Sequence, residues 1–366
     1  MQGKFISWAG PHYWGKEQDY VVDALRSSWI SGGEYVDRFE SDFAKYCNTP
    51  HAITSSNGTT ALHMAFLAMG IGKGDEVIVP GFGFMAAANV ALHVGAQPVF
   101  SEVHKENWCM TAENIEECLS PRTKAIVPIH TYGNVCDMDP IQELANKHGL
   151  YVIEDAAEAI GSKYKGRMAG TIAPVGVFSF HATKTITTGE GGAAVTTNEE
   201  WSNRMRLFRS HGMSTRRYWH EVAGHNFRLT NMQAAMGCAQ LENIVKITDE
   251  RNRVYLTYKK LLKEINGVTT QEYSQGVEPL VWAIAIRLDS SAFPQGRDAV
   301  IDQLRQVGIE TRPGFYAASM MHHLYGEAHL PICEEISRQV LSLPSGPMLT
   351  EEEIDYVCAS LSSLRQ

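Results

Sequence analysis

Short apolar runs alternate with longer amphipathic stretches between residues 50 and 200. Seven of the runs are five to seven residues long and bounded by turn-forming residues, so each predicts a buried strand. They are residues 51–56, 76–80, 98–103, 125–130, 151–157, 175–181 and 192–197. Strands that alternate with helices predict an α/β protein with a mixed, mostly parallel seven-stranded sheet covered by helices.

Helical patterns lie between these runs. Residues 59–69 and 84–94 predict two of the helices. We expect Asp139 to cap a third helix, with Pro140 at its first position and Gly149 at its end.

The last third of the chain predicts a smaller α+β unit. Residues 231–265 contain one glycine and no proline, so they predict one or two long helices. We therefore expect a large domain at 1–245, which includes the N-terminal segment, and a small domain at 246–366. The elements predicted there are strands around 281–288 and at 309–313, a helix at 297–308, and a final helix that begins with a capping box of Thr350 and Glu353.

The net charge of the chain limits the kinds of molecule that it is expected to bind. Acidic side chains outnumber basic ones by 41 to 32, which gives this 366-residue chain a net charge of −9. An acidic surface disfavours broad binding to nucleic acid or to anionic membranes. An anionic substrate would therefore need a local cluster of arginines.

The sequence also lacks the patterns expected of disulfides, metal sites, signal peptides and membrane spans. The seven cysteines are scattered and include no CxxC pair, so we expect reduced thiols. Neither the cysteines nor the histidines have the spacing of metal ligands, so we expect no bound metal. The N-terminus has no signal-peptide pattern, and no run approaches the ~20 apolar residues of a membrane span. These features predict a cytoplasmic protein.

Lys184 is the residue with the clearest chemistry. It follows the apolar run 175–181 and precedes a glycine-rich return at 189–192. Lysine is almost never buried without a role, and a desolvated lysine readily forms a Schiff base with a carbonyl group. Asp155 ends another apolar run, where open α/β sheets place ligands. Pyridoxal 5'-phosphate (PLP) needs a lysine for its Schiff base and a carboxylate that keeps its pyridine nitrogen protonated. Lys184 and Asp155 can supply these two groups, so together they indicate a PLP enzyme.

Further residues suit such a site, each with an ordinary alternative. Gly58 and Thr59 lie in a predicted strand-to-helix turn whose free N–H groups suit a phosphate, although such turns are common without a ligand. Ser179 can donate to the same phosphate or be a core serine. Phe84 can stack on a flat ring, although taken alone it is more typical of a core residue. Asp155 would otherwise be a helix N-cap.

An ordered set of motifs resembles the DegT/StrS family of sugar aminotransferases along nearly the whole chain. The motifs are NGT (57–59), PGFGFMAAAN (80–89), EDAAEAIG (154–161), SFHATK (179–184), GEGG (189–192) and NFR (226–228). The resemblance implies the type I PLP-dependent (aspartate aminotransferase-like) fold and a homodimer. It also implies L-glutamate as amino donor and a keto group on a nucleotide-linked sugar as acceptor.

The resemblance assigns a role to each motif. Lys184 would form the Schiff base and Asp155 would face the pyridine nitrogen. The other expected cofactor contacts are Phe84 on the ring, Gly58, Thr59 and Ser179 on the phosphate, and Glu158 beside the cofactor. Asn226 would reach the phosphate in the partner subunit, so that active sites are shared, while pairing of dimers into tetramers stays open.

Three more motifs most resemble the perosamine-forming branch of the family, whose members aminate C4 of GDP-4-keto-6-deoxy-D-mannose for O-antigen and related glycans. They are WISGG with YVDRFE (29–40), RYWH (217–220), and TRP with FY (311–316). The run GFG at 81–83 and the approach SFHATK depart from that branch. The expected substrate contacts are Ser31, His181, Arg217, Trp219, Arg312 and Tyr316.

The expected reaction is a ping-pong exchange in which Lys184 moves the proton in both halves. Another keto sugar, a cyclitol or a small phosphorylated ketone would need the same cofactor residues and stays open as acceptor. A sugar dehydratase fits less well, because such relatives replace the lysine with histidine. A PLP-binding sensor without turnover fits less well with the complete set of Asp155, Lys184 and Asn226.

Overall fold

The structure is a computed structural model that describes residues 5–366. The strands are His51–Ser55 (β1), Glu76–Pro80 (β2), Gln97–Ser101 (β3), Thr123–Ile126 (β4), Tyr151–Asp155 (β5), Lys163–Tyr164 (β6), Arg167–Met168 (β7), Val175–Ser179 (β8), Gly192–Thr196 (β9), Val268–Thr270 (β10), Val277–Glu278 (β11), Ile284–Leu288 (β12), Arg312–Pro313 (β13) and Val340–Leu343 (β14). The helices are Glu17–Arg26 (α1), Glu34–Tyr46 (α2), Gly58–Ala68 (α3), Ala86–His93 (α4), Ala112–Glu116 (α5), Met138–His148 (α6), Glu199–Arg209 (α7), Asn231–Glu242 (α8), Ile244–Leu262 (α9), Gly296–Gln306 (α10), His322–Tyr325 (α11), Pro331–Gln339 (α12) and Glu351–Ser363 (α13), with 3-10 turns at Thr131–Gly133 and Ala318–Met321.

The central sheet has seven strands in the order β1-β9-β8-β5-β4-β2-β3. Strand β9 runs antiparallel to both of its neighbours, whereas the pairs from β8 to β3 are parallel. The predicted fold class and all seven strands are confirmed. Strand β4 is shorter than predicted and stops at Ile126, because Pro128 has no N–H to continue the ladder.

Helices cover both faces of this sheet, because its strands are apolar on both sides. In β2, Val77 and Val79 belong to the apolar core that includes residues of α3 and α4, while Ile78 belongs to the core of the other face, which includes residues of α2 and α6. All three side chains are at most 1% exposed. Burying an aliphatic side chain of this size contributes about 1.5–3 kcal/mol, so two-sided packing fixes the sheet as a rigid platform.

Helix α6 begins two residues earlier than the sequence predicts. The N-cap is Asp137, and the expectation that Asp139 caps the helix with Pro140 in the first position is wrong. The carboxylate of Asp139 instead pairs at 2.7 Å with Lys165, in the turn between β6 and β7, and at 2.6 Å with Arg167, the first residue of β7. The predicted end is confirmed, since Gly149 closes the helix with a left-handed φ of 65°.

The C-terminal part forms a second sheet in the order β10-β12-β14-β13 with its own apolar core. The N-terminal Ile6 belongs to that core and pairs with Ile309. The capping box of Thr350 and Glu353 opens α13 as predicted. The domain boundary near residue 245 falls close to the junction of α8 and α9 and stays a prediction.

All seven cysteines are free thiols, and six of them are buried. No helix within residues 5–366 is both long and apolar enough to cross a lipid bilayer. Across the same residues, no three or more His, Cys, Asp or Glu side chains lie close enough together to hold a metal ion.

Candidate active site

Several strands end at one edge of the central sheet, beside a cavity of about 800 Å³. Asp155 is the last residue of β5 and Ser179 is the last residue of β8. Gly192, the first residue of the antiparallel β9, lies between Ser55 and Ser179 in register. Open α/β sheets bind ligands outside the carboxyl ends of their strands, so the cavity occupies the expected position.

The first turn of α3 forms one end of the cavity. Asn57 caps the helix by accepting a hydrogen bond from the Thr60 N–H at 2.9 Å. The N–H groups of Gly58 and Thr59 lie in the first turn, where a helix provides no acceptor for them, and both residues line the cavity. With the hydroxyl of Ser179 beside them, these donors form a cup that fits a phosphate.

Asp155 lies in the middle of the cavity wall and is 4% exposed. One carboxylate oxygen accepts a hydrogen bond from the Ala157 N–H at 3.1 Å. Among residues 5–366, no lysine, arginine or histidine nitrogen lies within ion-pair distance, and burial raises the pKa of this carboxyl group. The N-cap alternative is wrong, because the next element along the chain is β6. A buried carboxylate that lines a cavity and has no protein cation within ion-pair distance fits a protonated pyridine nitrogen.

Lys184 faces Asp155 and Glu158 from the loop that follows β8. Its side chain is 12% exposed, and Nζ lies 3.6 Å from a carboxylate oxygen of Glu158. Burial lowers the pKa of the Lys184 amine, although the two carboxylates oppose the shift. A lysine with a lowered pKa has a larger neutral fraction at neutral pH, and only the neutral amine can attack a carbonyl carbon.

Glu158 lies beside the lysine, in the part of the cavity where we expect it to flank the cofactor. Its second carboxylate oxygen accepts a hydrogen bond from the Tyr132 N–H at 2.8 Å. Tyr132 has a left-handed φ of 59°, so this bond helps to hold a backbone conformation that non-glycine residues seldom adopt. Burial raises the pKa of the Glu158 carboxyl group.

Phe84 is a cavity residue and not a core residue. Its side chain is 60% exposed and lines the cavity, whereas Phe82 two positions earlier is fully buried. The ring lies edge-on to Phe315, with 6.3 Å between centroids. The core alternative for Phe84 is therefore wrong, and the exposed face is available to a flat ligand.

The predicted substrate contacts lie at different distances from the cavity. His181 lines it, between the phosphate cup and Lys184 in sequence. The other five are exposed and lie outside the cavity of a single chain; they are Ser31, Arg217, Trp219, Arg312 and Tyr316. Their roles stay predictions.

Asn226 is also exposed and outside the cavity of its own chain, although the adjacent Phe227 lines it. The side-chain oxygen of Asn226 accepts a hydrogen bond from Arg228 at 3.1 Å. This position suits a residue that serves a neighbouring subunit, and that role stays a prediction.

The structure adds cavity residues that the sequence pattern did not predict. His63 lies four positions after Thr59 on α3, so the helical period places both on one face, and this spacing could have indicated it. Trp282 and Phe315 come from the C-terminal part of the chain. No local motif marks them, because only tertiary folding brings them to the cavity.

Comparison with known proteins adds independent information. A model of the DegT/DnrJ/EryC1/StrS aminotransferase family matches residues 13–362. Two similar proteins bear the name GDP-perosamine synthase. The one from Caulobacter vibrioides is 43% identical and the one from Escherichia coli O157:H7 is 40% identical, each with 98% of both chains covered. The backbone is also similar to the PLP form of the candidate sugar aminotransferase Spr1654 from Streptococcus pneumoniae, with a TM-score of 0.93, 25% identity and 98% of each chain covered.

Proposed function

The chain belongs to the DegT/DnrJ/EryC1/StrS aminotransferase family, and from that premise we propose that it transfers an amino group from L-glutamate to C4 of GDP-4-keto-6-deoxy-D-mannose. It is a PLP-dependent aminotransferase that acts on a nucleotide-linked sugar. The observation that carries the chemistry is the meeting of Lys184, Asp155 and the phosphate cup around one cavity. The choice of sugar is supported by the relatives named GDP-perosamine synthase.

The residues of the cavity fit PLP by their chemistry. The N–H groups of Gly58 and Thr59 and the hydroxyl of Ser179 would hold the phosphate, and Asp155 would keep the ring nitrogen protonated. When bound, PLP supplies an electron sink that lowers the cost of removing a proton from the amino donor. Lys184 supplies the base, because its Nζ is the amine that faces both carboxylates at the cavity wall.

The two halves of the reaction use Lys184 in opposite directions. In the first half, the neutral amine would take the proton from the α-carbon of glutamate and pass it to the cofactor, which retains the amino group. In the second half, the amine would take that proton back from the cofactor and, as the ammonium group, give it to the carbon that carried the sugar ketone. Glutamate leaves as 2-oxoglutarate before the sugar is aminated, so ping-pong kinetics are expected.

We infer that the enzyme is a homodimer with shared active sites. Large apolar side chains are exposed outside the cavity, among them Trp29 at 71%, Tyr218 at 74% and Trp219 at 56%. Exposed apolar groups of this size commonly mark an interface. A partner that covers them would lie beside Ser31, Arg217 and Trp219, which neighbour or belong to this exposed set in sequence. We propose that Asn226, Arg312 and Tyr316 serve the same shared site. The substrates, glutamate and a nucleotide-linked sugar, support a cytoplasmic location.

A panel of acceptors tests the proposed substrate. Purified protein is incubated with glutamate and one ketone at a time: the GDP-linked 4-keto-6-deoxy-D-mannose, 4-keto sugars linked to other nucleotides, and a cyclitol ketone. We expect mass spectrometry to detect an amino sugar formed most rapidly from the GDP-linked compound, and no product with K184A. A faster reaction with another ketone would replace the proposed acceptor and leave the aminotransferase assignment intact.

A further inference from the structure

The indole ring of Trp282 lies against the amine of Lys184. Nζ is 3.5 Å from the centre of the ring, well within the ~6 Å range of a cation–π contact. Trp282 is 8% exposed, lines the cavity and lies two residues before the start of β12. The contact therefore joins the C-terminal part of the chain to the reactive lysine.

Hydrogen bonds fix the ring relative to the lysine. The indole N–H of Trp282 donates to the carbonyl oxygen of Thr183 at 2.8 Å. One buried guanidinium, that of Arg251, donates to the carbonyl oxygen of Trp282 at 3.1 Å and to that of Lys184 at 3.2 Å. The Arg251 side chain therefore holds the backbone at Trp282 and the backbone at Lys184 together, so the ring face stays beneath the amine.

Aromatic packing fixes the other sides of the indole. The backbone N–H of Trp282 donates to the Tyr132 carbonyl at 3.0 Å, and the two rings stack with 6.4 Å between centroids. Trp8 lies edge-on at 5.7 Å. Tyr132 is also the residue whose N–H binds Glu158, so the ring and the carboxylate that contact the amine are tied to one backbone segment.

The two carboxylates around the amine favour its ammonium form, while burial and the Arg251 guanidinium oppose it. Glu158 and Asp155 attract the positive charge, and Arg251 repels it. The face of an indole carries partial negative charge and attracts a cation. The Trp282 ring therefore adds to the effect of the two carboxylates.

We propose that the Trp282 ring and the Glu158 carboxylate form a resting site for the Lys184 amine whenever that amine is not joined to the cofactor. Trp282 is then a positioning residue for the proton transfer, because it stabilises the ammonium group that forms when Lys184 takes a proton. The proposal rests on the role of Lys184 in the proposed function. It implies that the enzyme with aminated cofactor, in which the lysine is free, is stabilised by Trp282.

The equilibrium between the lysine-linked and the aminated cofactor tests this proposal without relying on turnover. The holoenzyme is titrated with mixtures of glutamate and 2-oxoglutarate, and the visible absorbance gives the ratio of the two forms. We expect W282L to shift the equilibrium toward the lysine-linked form by roughly two- to thirty-fold, which corresponds to the about 0.5–2 kcal/mol of a cation–π contact. W282F keeps a weaker aromatic face and should shift it less.

The pH dependence separates this role from a structural one. A neutral amine gains nothing from the ring, so the difference between W282L and wild type should shrink as the pH rises through the pKa of Lys184. W201F changes an indole on α7 that packs edge-on against Tyr151 and does not line the cavity, so it should leave the equilibrium unchanged. An unaltered equilibrium in W282L, or a shift that does not vary with pH, would overturn the proposal.

Two further results distinguish a failure of this proposal from a failure of the proposed function. If W282L cannot be purified with cofactor, a shift of about twofold in W282F but not in W201F supports the proposal, and no shift in W282F overturns it. If K184A retains the absorbance of the lysine-linked form, the assignment of Lys184 in the proposed function fails instead.

Discussion

Asp155 has a buried carboxyl group for which, among residues 5–366, the chain supplies no ion-pair partner. We expect D155N to bind cofactor but to react roughly 10²–10³-fold more slowly, the usual loss on removing one preorganised polar interaction. An amide cannot keep a pyridine nitrogen protonated, whereas the phosphate cup is untouched by the change. Steady-state kcat and the cofactor dissociation constant measure the two effects. The exposed D302N is the matched control, and a wild-type kcat in D155N would remove Asp155 from its assigned role.

At the residue scale, the cavity residues that lie at or just after the ends of strands could be predicted from the sequence. Asp155 and Lys184 could be predicted because the first ends an apolar strand and the second follows one, at the ligand edge of the sheet. Phe84 could not be assigned from its neighbours, since both the core and the cavity accept an aromatic side chain. Trp282 could not be predicted at all, because its contact with Lys184 spans almost one hundred residues of chain and depends on the packing of the C-terminal part.

At the element scale, the approach of β9 to α3 determines the shape of the phosphate cup. A Cβ atom on Gly192 would lie 2.6 Å from the backbone nitrogen of Gly58, closer than real Cβ contacts. We expect G192A to push the first turn of α3 away, to weaken PLP binding and to destabilise the fold by about 1–3 kcal/mol, the usual cost of overpacking.

The matched control for this substitution is G346A, because a Cβ at Gly346 meets nothing within 4 Å. Cofactor affinity is measured by equilibrium titration, and stability by chemical unfolding with and without PLP. Equal cofactor affinity in G192A and wild type would contradict the view that the close contact shapes the cup.

The strands were easier to predict than the ends of helices. Both faces of the sheet are covered, so each strand is a continuous apolar run that the sequence displays directly. The start of α6 could not be predicted because Asp139 has the residue type of a cap, while its actual partners, Lys165 and Arg167, come from the distant β6–β7 hairpin. Tertiary ion pairs of this kind leave no local signal.

At the scale of the whole molecule, subunit mixing tests whether sites are shared. K184A is expected to be inactive and N226A weakly active. In a heterodimer of the two, one site would collect both substitutions and the other none, because each site would draw Lys184 from one chain and Asn226 from its partner. Activity should therefore rise after subunit exchange. No gain, with exchange verified by native mass spectrometry, would exclude a shared site.

The central claim is that this chain passes an amino group from glutamate to a sugar ketone by way of its own bound cofactor. The most direct test is a two-step transfer of isotopically labelled nitrogen. The enzyme is incubated with labelled glutamate, freed of glutamate by gel filtration, and then mixed with GDP-4-keto-6-deoxy-D-mannose. We predict an amino sugar that carries the label, in an amount that matches the enzyme sites, and none with K184A. Absence of labelled product after the first substrate has been removed would contradict the account.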